Sequence, residues 1–386
     1  MAMRLAQFIE AAAWDFEVIV AVVPVAGTPP GGAGLAVPTV LVGGPSLTPV
    51  GVAMTTLLAN PTWRRRLSDA TPFPWAARRA PPTMAPEVTR AVGELRPMHG
   101  APVHVLRSYL GPLGLAVAER LGAPWTTLDL DDDDEAFHAA NGDTAEAAAY
   151  RRLVATFGPS FACLAAASPD DAGALQRRHG LSVSVLPNTV QPPTRLVRAP
   201  DPTPDLLFVG NLLYSPNAVA AKVLAETILP AVRSRSGLPV TATIVGDYSG
   251  DETIARLATR PGVRLPGFVE DLQPLYDRAT VAVVPLQAGS GTKIKLLEAF
   301  ANQVPVVTTP AGVAGLGVES GVHLLVTEDE DQLVSHTVTL LRDPASAHRL
   351  AAAAAAYVGE HHFPERTRPI VRAFLAAAAA RGGGVS

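Results

Sequence analysis

Short apolar runs alternate with helical patterns through the second half of the chain, and this alternation limits the possible folds more than any other feature. Each of the first three runs is followed by a helical segment: 205–210 by 216–235, 240–246 by 252–259, and 263–269 by 271–279. Three more apolar runs, 280–286, 304–309 and 323–328, continue the series. Because strands that alternate with helices form parallel sheets covered by helices on both faces, we predict an α/β fold.

The first half shows the same order more faintly, and a proline-rich segment separates the two halves. Candidate strands lie at residues 17–25, 103–107, 125–130, 161–166 and 182–186, and five prolines lie within residues 191–204. A length of 386 residues suits two domains. We therefore predict an N-terminal domain at 1–190, a linker at 191–204, a second domain at 205–362, and a C-terminal segment at 363–386. Two doubly wound domains joined by a hinge would have a cleft between them.

Charge and cysteine content exclude several classes of protein. The net charge of -4 and the pI near 6.1 argue against a nucleic-acid partner, because no basic field is available to neutralise phosphates. Cys163 is the single cysteine, which rules out a disulfide framework and a cysteine-based zinc site. Since neither a secretory leader nor a spanning helix is visible, we expect a cytoplasmic protein.

One apolar segment invites a membrane interpretation. Residues 18–63 contain no charged residue, but seven prolines interrupt them, which favours a loop-rich segment over a spanning helix. Arginines follow at 64–66 and at 78–79. They suit a peripheral contact with anionic lipid or a solvated helix face, and both interpretations stay open.

Residues 285–309 combine a glycine-rich turn with two lysines at the start of a helical pattern. Gly289, Ser290 and Gly291 allow a sharp turn, and Thr292 can cap the helix that follows. Amides at a helix N-terminus favour a phosphate group. Lysines in a first helical turn oppose the helix dipole, so an anion is the simplest explanation for residues 293 and 295.

Glu298 lies one turn further on among apolar neighbours, where a carboxylate normally needs a hydrogen-bonding partner. The two hydroxyls of a ribose would provide one. The alternative is a Lys295–Glu298 pair on a solvated helix face, although lysine before glutamate is the weaker orientation for such a pair. Ligands of open α/β sheets bind beyond the carboxyl ends of the strands, which favours the ribose.

Three motifs in this order resemble the retaining GT-B glycosyltransferases of the family 4 type, also called group 1 glycosyltransferases. The motifs are FVGNLLYSPN at 208–217, VRLPGFVEDLQPLY at 263–276 and the segment GSGTKIKLLEAFANQVPVVTTPAGVAGL at 289–316, with LPNTV at 186–190 resembling the end of the N-terminal domain. Their order and spacing make the resemblance specific. It implies two Rossmann-like domains facing a central cleft, with a last helix that crosses back to the N-terminal domain.

The resemblance also implies residue roles on the donor side. Lys293, Lys295 and Glu298 would act at the reaction centre, with Glu298 on the donor ribose and Lys295 neutralising the leaving nucleotide. The donor-binding set would be Gly210, Asn211, Gly267, Phe268, Val269, Gly289, Ser290, Gly291, Thr292 and Leu297. Within this set, residues 291–293 would hold the diphosphate and residues 267–269 would meet the base through their main chain.

The reaction implied is transfer of a hexose from a nucleotide diphosphate sugar to an acceptor hydroxyl, with retention of anomeric configuration. The donor is a substrate, and neither a cofactor nor a metal is expected if lysines and helix-terminal amides stabilise the departing diphosphate. Small molecules, glycans and lipid-linked sugars are all open as acceptors, and the oligomeric state is open too. A nucleotide-sugar 2-epimerase and a non-catalytic sugar-nucleotide-binding partner subunit are the alternatives.

The sequence departs from the family pattern at two places. Ser290 stands where the family signature has the first of its two glutamates, which leaves the donor-sugar contacts unexplained. Residues 4–13 resemble the first helix of the N-terminal domain, so we expect a first strand upstream of the given start. Residues 35–42 contain a proline that makes them unsuited to fill the place of that central strand.

An acidic run and an arginine follow two predicted strands of the first half. Residues 128–135 carry five aspartates and a glutamate, for which an acceptor contact at Asp131, a metal site and a solvated loop are all open. Arg107 could meet the donor phosphates or an anionic acceptor, or could pair with the aspartates. His138 could line the acceptor pocket.

Overall fold

A computed structural model of the chain describes residues 2–23, 25, 37–42, 73–194, 203–287 and 294–382. The chain divides into two compact units. Unit 1 comprises Met1–Asn188 and Thr367–Ser386, and unit 2 comprises Thr189–Arg366. Of the proline-rich segment 191–204, residues 195–202 lie outside the described part.

The described part of unit 2 forms a sheet of six parallel strands in the order β12-β11-β10-β7-β8-β9. Their bounds are β7 Asp205–Val209, β8 Thr241–Val245, β9 Val263–Gly267, β10 Val281–Val284, β11 Val306–Thr308 and β12 Leu325–Val326. The chain runs from β7 outward to β9 and then returns to the other side of β7 with β10. The strand order therefore reverses between β7 and β10, which is the point where open α/β sheets bind their ligands.

The strands of unit 2 are buried apolar runs covered by helices, as expected for a parallel sheet. The helices are Ser215–Val223, Leu229–Ser236, Glu252–Ala255, Gln273–Arg278, Ile294–Ala301, Pro310–Val313, Glu330–Arg342 and Pro344–His361. A π-helical turn, Leu224–Ile228, joins the first two. Leu206, Phe208 and Phe300 are among the fully buried side chains between sheet and helices.

The described part of unit 1 contains a four-stranded parallel sheet in the order β3-β4-β5-β6 and a separate parallel pair, β1-β2. The bounds are β1 Val20–Val22, β2 Thr39–Leu41, β3 Val103–Leu106, β4 Thr126–Asp129, β5 Cys163–Ala166 and β6 Val183–Val185. The helices are Ala2–Ala12, Trp75–Arg79, Ala85–Leu95, Gly111–Leu121, Asp134–Ala140, Thr144–Phe157, Pro169–His179 and Pro364–Gly382. With a parallel sheet in each unit, the predicted α/β fold is confirmed.

The N-terminal region differs from expectation in how its strands pair. The run at 17–25 contributes only the three residues of β1, which pairs with β2 rather than with the larger sheet. β2 lies within the proline-containing segment 35–42, and Val20 N donates to the Pro38 carbonyl at 3.0 Å. Proline has no amide hydrogen to donate, but its carbonyl still accepts, so the segment can pair at its margin.

The last helix, Pro364–Gly382, packs within unit 1. Its apolar side chains Val371, Phe374, Leu375 and Ala378 share a buried cluster with residues of the first helix and of β5. On its exposed face, Arg372 pairs with Asp15 through two hydrogen bonds of 2.8 and 2.9 Å. None of the helices in the described residues has the length and hydropathy needed to cross a bilayer.

Candidate functional site

The carboxyl ends of β7, β8 and β9 lie close together in unit 2, and glycines allow the close approach. A Cβ atom on Gly246 would lie 1.8 Å from the carbonyl oxygen of Gly210, and the φ of Gly246 is +154°. Any side chain at position 246 would therefore push apart the turns that follow β7 and β8. Gly210 is also close to Asn217, since a Cβ at 210 would be 3.0 Å from the Asn217 amide group.

The glycine-rich turn after β10 falls outside the described residues. Gly289, Ser290, Gly291, Thr292 and Lys293 all lie in this gap, and their predicted contacts with a diphosphate remain predictions. The description resumes at the helix Ile294–Ala301, which we call the lysine helix.

The ammonium group of Lys295 lies at the end of β7. Its Nζ donates a 2.5 Å hydrogen bond to Asn217 Oδ1 and lies 5.2 Å from the centre of the Phe208 ring. Asn217 Nδ2 in turn donates to the Asn211 carbonyl at 2.8 Å. The structure thus brings Lys295, Gly210 and Asn211 together at the reversal point between β7 and β10. A cation beside the turns after these strands can bind a phosphate.

Glu298 lies one turn further along the lysine helix and is held by a tyrosine. The Tyr276 hydroxyl donates to Glu298 Oε2 at 3.0 Å. Burial raises the pKa of the Glu298 carboxyl above its ordinary value, while the hydrogen bond from Tyr276 and the charge of Lys295 act to lower it. Leu297, which lies between Lys295 and Glu298 in the sequence, is fully buried, so its side chain packs in the interior of unit 2.

The turn after β9 presents an exposed aromatic ring. Gly267 has φ +81°, and its carbonyl oxygen accepts a 3.0 Å hydrogen bond from Gly246 N. Phe268 follows with 77% of its surface exposed, and Val269 is half-buried. These residues end the strand beside β8, so main-chain groups there are accessible to a ligand at the same edge of the sheet.

Sequence reasoning missed three residues of this site: Asn217, Tyr276 and Asn302. Asn302 Nδ2 donates to the Glu298 carbonyl at 2.9 Å, and its Oδ1 accepts from Gln273 Nε2 at 2.8 Å. Asn217 belongs to the segment SPN in the first motif, Tyr276 ends the second and Asn302 lies in the third, so all three are within the motifs quoted above. What was lacking was any sign that their side chains reach the lysine helix.

In unit 1, Arg107 is an ion-pairing residue. Its Nη1 lies 3.0 Å from carboxylate oxygens of Asp131 and Asp132, and its Nη2 lies 3.2 Å from Asp134 Oδ1. Asp131 also lies 3.2 Å from Arg4 Nε. Of the interpretations that the sequence left open for Arg107, the structure contains the pairing with the aspartates.

The acidic run is therefore a network of charges with cationic partners. Arg4 pairs with Asp129 at 2.7 Å, and Asp133 pairs with Arg178. Ser108 donates to Asp134 at 2.5 Å. Within the described residues, no group of three or more histidine, cysteine, aspartate or glutamate side chains is arranged to hold a metal ion.

His138 is packed against an aromatic ring. It stacks on Tyr150 with ring centres 5.2 Å apart, and its Nδ1 lies 3.7 Å from Asp143 Oδ2. The predicted acceptor contacts of Arg107, Asp131 and His138 remain predictions, although all three side chains have partners inside unit 1.

Comparison with known proteins finds a family match within the second unit. Residues 203–343 match the family model described as "Glycosyl transferases group 1". A 44.6 kDa uncharacterised protein in the cps region of Klebsiella pneumoniae is 25% identical over 171 residues. That match covers 41% of this chain and 42% of the relative, so the chain spans about two fifths of the curated relative that it matches.

Solved glycosyltransferases share the fold over two thirds of the chain or more. Sucrose-phosphate synthase from Thermosynechococcus elongatus gives a TM-score of 0.69 at 18% identity, covering 96% of this chain and 92% of its own. HepE from Anabaena, solved with UDP and glucose, gives a TM-score of 0.64 at 16% identity, covering 97% of this chain and 95% of its own. The S. aureus protein TarM, solved in one structure with UDP, gives 0.52 at 13% identity and covers 67% of this chain and 51% of its own. The chain therefore has the GT-B fold, and residues 203–343 match the model of the group 1 glycosyltransferases.

Proposed function

We propose that this chain is a glycosyltransferase that moves a hexose from a nucleotide diphosphate sugar to an acceptor hydroxyl. The observation that carries the proposal is the position of Lys295 and Glu298 on successive turns of the lysine helix, with Lys295 held at the end of β7. A cation and a carboxylate at the reversal point of a parallel sheet suit a diphosphate and a ribose.

The chemistry follows from these two groups. Transfer breaks the bond between the anomeric carbon and the β-phosphate oxygen and forms a bond from the same carbon to the acceptor oxygen. The acceptor hydroxyl gives its proton to the departing diphosphate. Lys295 stabilises the negative charge that develops on the departing diphosphate. Glu298 accepts hydrogen bonds from the ribose hydroxyls and so fixes the nucleotide against the turn after β7.

Retention of configuration and independence from metal belong to the same proposal. The resemblance to the family 4 type supports retention. Lys295, together with amides of the turn at 289–293, would supply the positive charge that a metal supplies in other transferases. HepE, solved with UDP and with UDP-glucose, supports a nucleotide diphosphate sugar as donor.

The test is incubation with UDP, GDP and dTDP sugars and a set of glycan, lipid-linked and small-molecule acceptors. We expect mass spectrometry to show released nucleotide and a glycosylated product, with equal yield in EDTA. Glu298→Ala should abolish donor binding. Thermal stabilisation by a nucleotide without turnover of any donor would overturn the transferase proposal in favour of a sugar-nucleotide-binding protein.

A further inference from the structure

The Tyr276 side chain is a buried phenol that reaches from one helix to the functional carboxylate of another. Tyr276 is only 3% exposed and lies in the helix Gln273–Arg278, which we call the tyrosine helix. Its hydroxyl donates to Glu298 Oε2 at 3.0 Å. Burial and the neighbouring carboxylate both raise the pKa of the phenol, so the hydroxyl keeps the proton that it donates.

A second contact ties the same two helices together. Gln273 Nε2 donates to Asn302 Oδ1 at 2.8 Å, and Asn302 Nδ2 donates to the Glu298 carbonyl at 2.9 Å. The tyrosine helix begins six residues after Gly267, which ends β9. The backbone and the side chain of Glu298 are therefore both held by the helix that follows the turn at 267–269.

Charge explains why this hydrogen bond matters for the carboxylate. Burial favours the protonated form of Glu298, whereas the Tyr276 hydroxyl and the Lys295 ammonium favour the ionised form. Among the described residues, these two are the titratable groups that act on Glu298, one from the tyrosine helix and one from its own helix. The ionised form accepts hydrogen bonds at both oxygens, and the protonated form does so at fewer positions.

We propose that Tyr276 is a positioning residue for nucleotide binding, which holds the Glu298 carboxylate in a fixed orientation toward the donor ribose. This inference rests on the proposed function, since it assumes that Glu298 meets a ribose. A fixed carboxylate binds two adjacent hydroxyls with less loss of side-chain entropy than a mobile one. The turn at 267–269 and the ribose site are then joined through one helix.

The test compares Tyr276→Phe with the matched control Tyr357→Phe in the full-length chain. Tyr276→Phe keeps the buried ring and removes only the hydroxyl. Tyr357 also lies in unit 2, and its hydroxyl donates to the Leu316 carbonyl rather than to a carboxylate. UDP, GDP, dTDP and inorganic pyrophosphate are titrated calorimetrically into each protein from pH 5 to pH 8.

We expect Tyr276→Phe to bind its nucleotide about tenfold more weakly near pH 6, because a hydrogen bond to a charged group is lost. The loss of affinity on acidification should begin at a higher pH than in the wild type, since Glu298 without the Tyr276 hydrogen bond takes up a proton more readily. Pyrophosphate lacks a ribose, so the wild type and both variants should bind it with the same affinity. Tyr357→Phe should match the wild type throughout.

The outcomes separate this inference from the proposed function. A nucleotide that binds wild type and Tyr276→Phe with the same affinity and the same pH profile overturns the inference alone. A uniform loss at every pH, for pyrophosphate as well, would show that Tyr276 only supports packing and would also overturn it. If the wild type binds none of the nucleotides, the proposed function fails and the inference fails with it.

Discussion

At the scale of single residues, the ammonium of Lys295 has a defined position because Asn217 accepts its hydrogen bond at 2.5 Å. Asn217 is itself fixed by its 2.8 Å bond to the Asn211 carbonyl. A lysine side chain has four rotatable bonds, so a fixed partner reduces the entropy lost when an anion binds. In the proposed function, Asn217 would therefore contribute to the phosphate site without needing to touch the phosphate.

Replacing Asn217 with alanine should weaken binding of UDP and of pyrophosphate by about five- to tenfold, or about 1–1.5 kcal/mol. Isothermal titration calorimetry measures both affinities. Asn141→Ala is the matched control, because Asn141 Nδ2 bonds to the Phe137 carbonyl in unit 1. Unchanged pyrophosphate binding in Asn217→Ala would show that Lys295 does not depend on this partner.

A substitution at Gly246 tests the close approach of the turns after β7 and β8. Alanine there would place its Cβ 1.8 Å from the Gly210 carbonyl oxygen, so we expect Gly246→Ala to lower the free energy of unfolding of unit 2 by about 3 kcal/mol. Urea unfolding followed by far-UV circular dichroism would show an earlier transition. Gly93→Ala, which meets nothing within 4 Å, should lack this effect.

Sequence reasoning predicted a functional lysine and glutamate but not the side chains that contact them. Lys295 in a first helical turn and Glu298 among apolar neighbours are both unusual. Such local features can be recognised from the sequence alone. Tyr276 is 22 positions from Glu298, and Asn217 is 78 positions from Lys295. A tyrosine or an asparagine in such places fits many structures, so only the folded geometry reveals these contacts.

At the scale of elements, the acidic turn of unit 1 is organised by the ends of β3 and β4. Arg107 follows β3 and has φ +88°, and Asp131 follows β4 and has φ +63°. These left-handed conformations cost a non-glycine residue free energy, and the ion pair between the two side chains, at 3.0 Å, offsets part of that cost. The aspartates that follow β4 can lie close together because arginine side chains form ion pairs with them.

Asp134 should make the stability of unit 1 depend on pH. Burial raises its pKa to about 6, although Arg107 and Ser108 favour the ionised form. An acid whose pKa is higher in the folded state stabilises that state fully below its unfolded pKa near ~3.9, and this contribution is lost as the pH rises through about 6. Between pH 4 and pH 7, the free energy of unfolding of the wild type should fall by about 2 kcal/mol relative to that of Asp134→Asn.

Tryptophan fluorescence can follow this effect because the four tryptophans, at positions 14, 63, 75 and 125, all belong to unit 1. Urea transitions of both proteins would be recorded at each pH. Asp170→Asn, at an exposed aspartate of the same unit, is the control. A constant difference between wild type and Asp134→Asn across the range would contradict the prediction.

At the scale of the whole molecule, the chain leaves unit 1 at Asn188 and returns to it at Thr367. The returning helix supplies Phe374, which is 5% exposed, to the cluster that includes Phe8 and Leu186. The resemblance implied such a helix, whereas its alanine-rich sequence alone gave no indication of which unit it packs against. Amino-acid composition indicates that a segment is helical. It does not indicate where the helix packs, because that depends on surfaces formed elsewhere in the chain.

Phe374→Ala should lower the free energy of unfolding of unit 1 by about 3–4 kcal/mol, because it leaves a cavity in a closed cluster. The fluorescence transition in urea should move to lower concentration, while UDP affinity should be unchanged. Ile370→Ala, on the same helix but 39% exposed, should shift the transition far less. Equal shifts for the two variants would show that the helix does not complete this core.

The two segments of unit 1 also set an order of events during synthesis. All residues of unit 2 have been made before the ribosome reaches Val371, Phe374 and Leu375. Domains generally fold as units while the chain emerges. The unit encoded second can therefore complete its core first, whereas the unit encoded first keeps part of its apolar interior uncovered until the helix Pro364–Gly382 has been made.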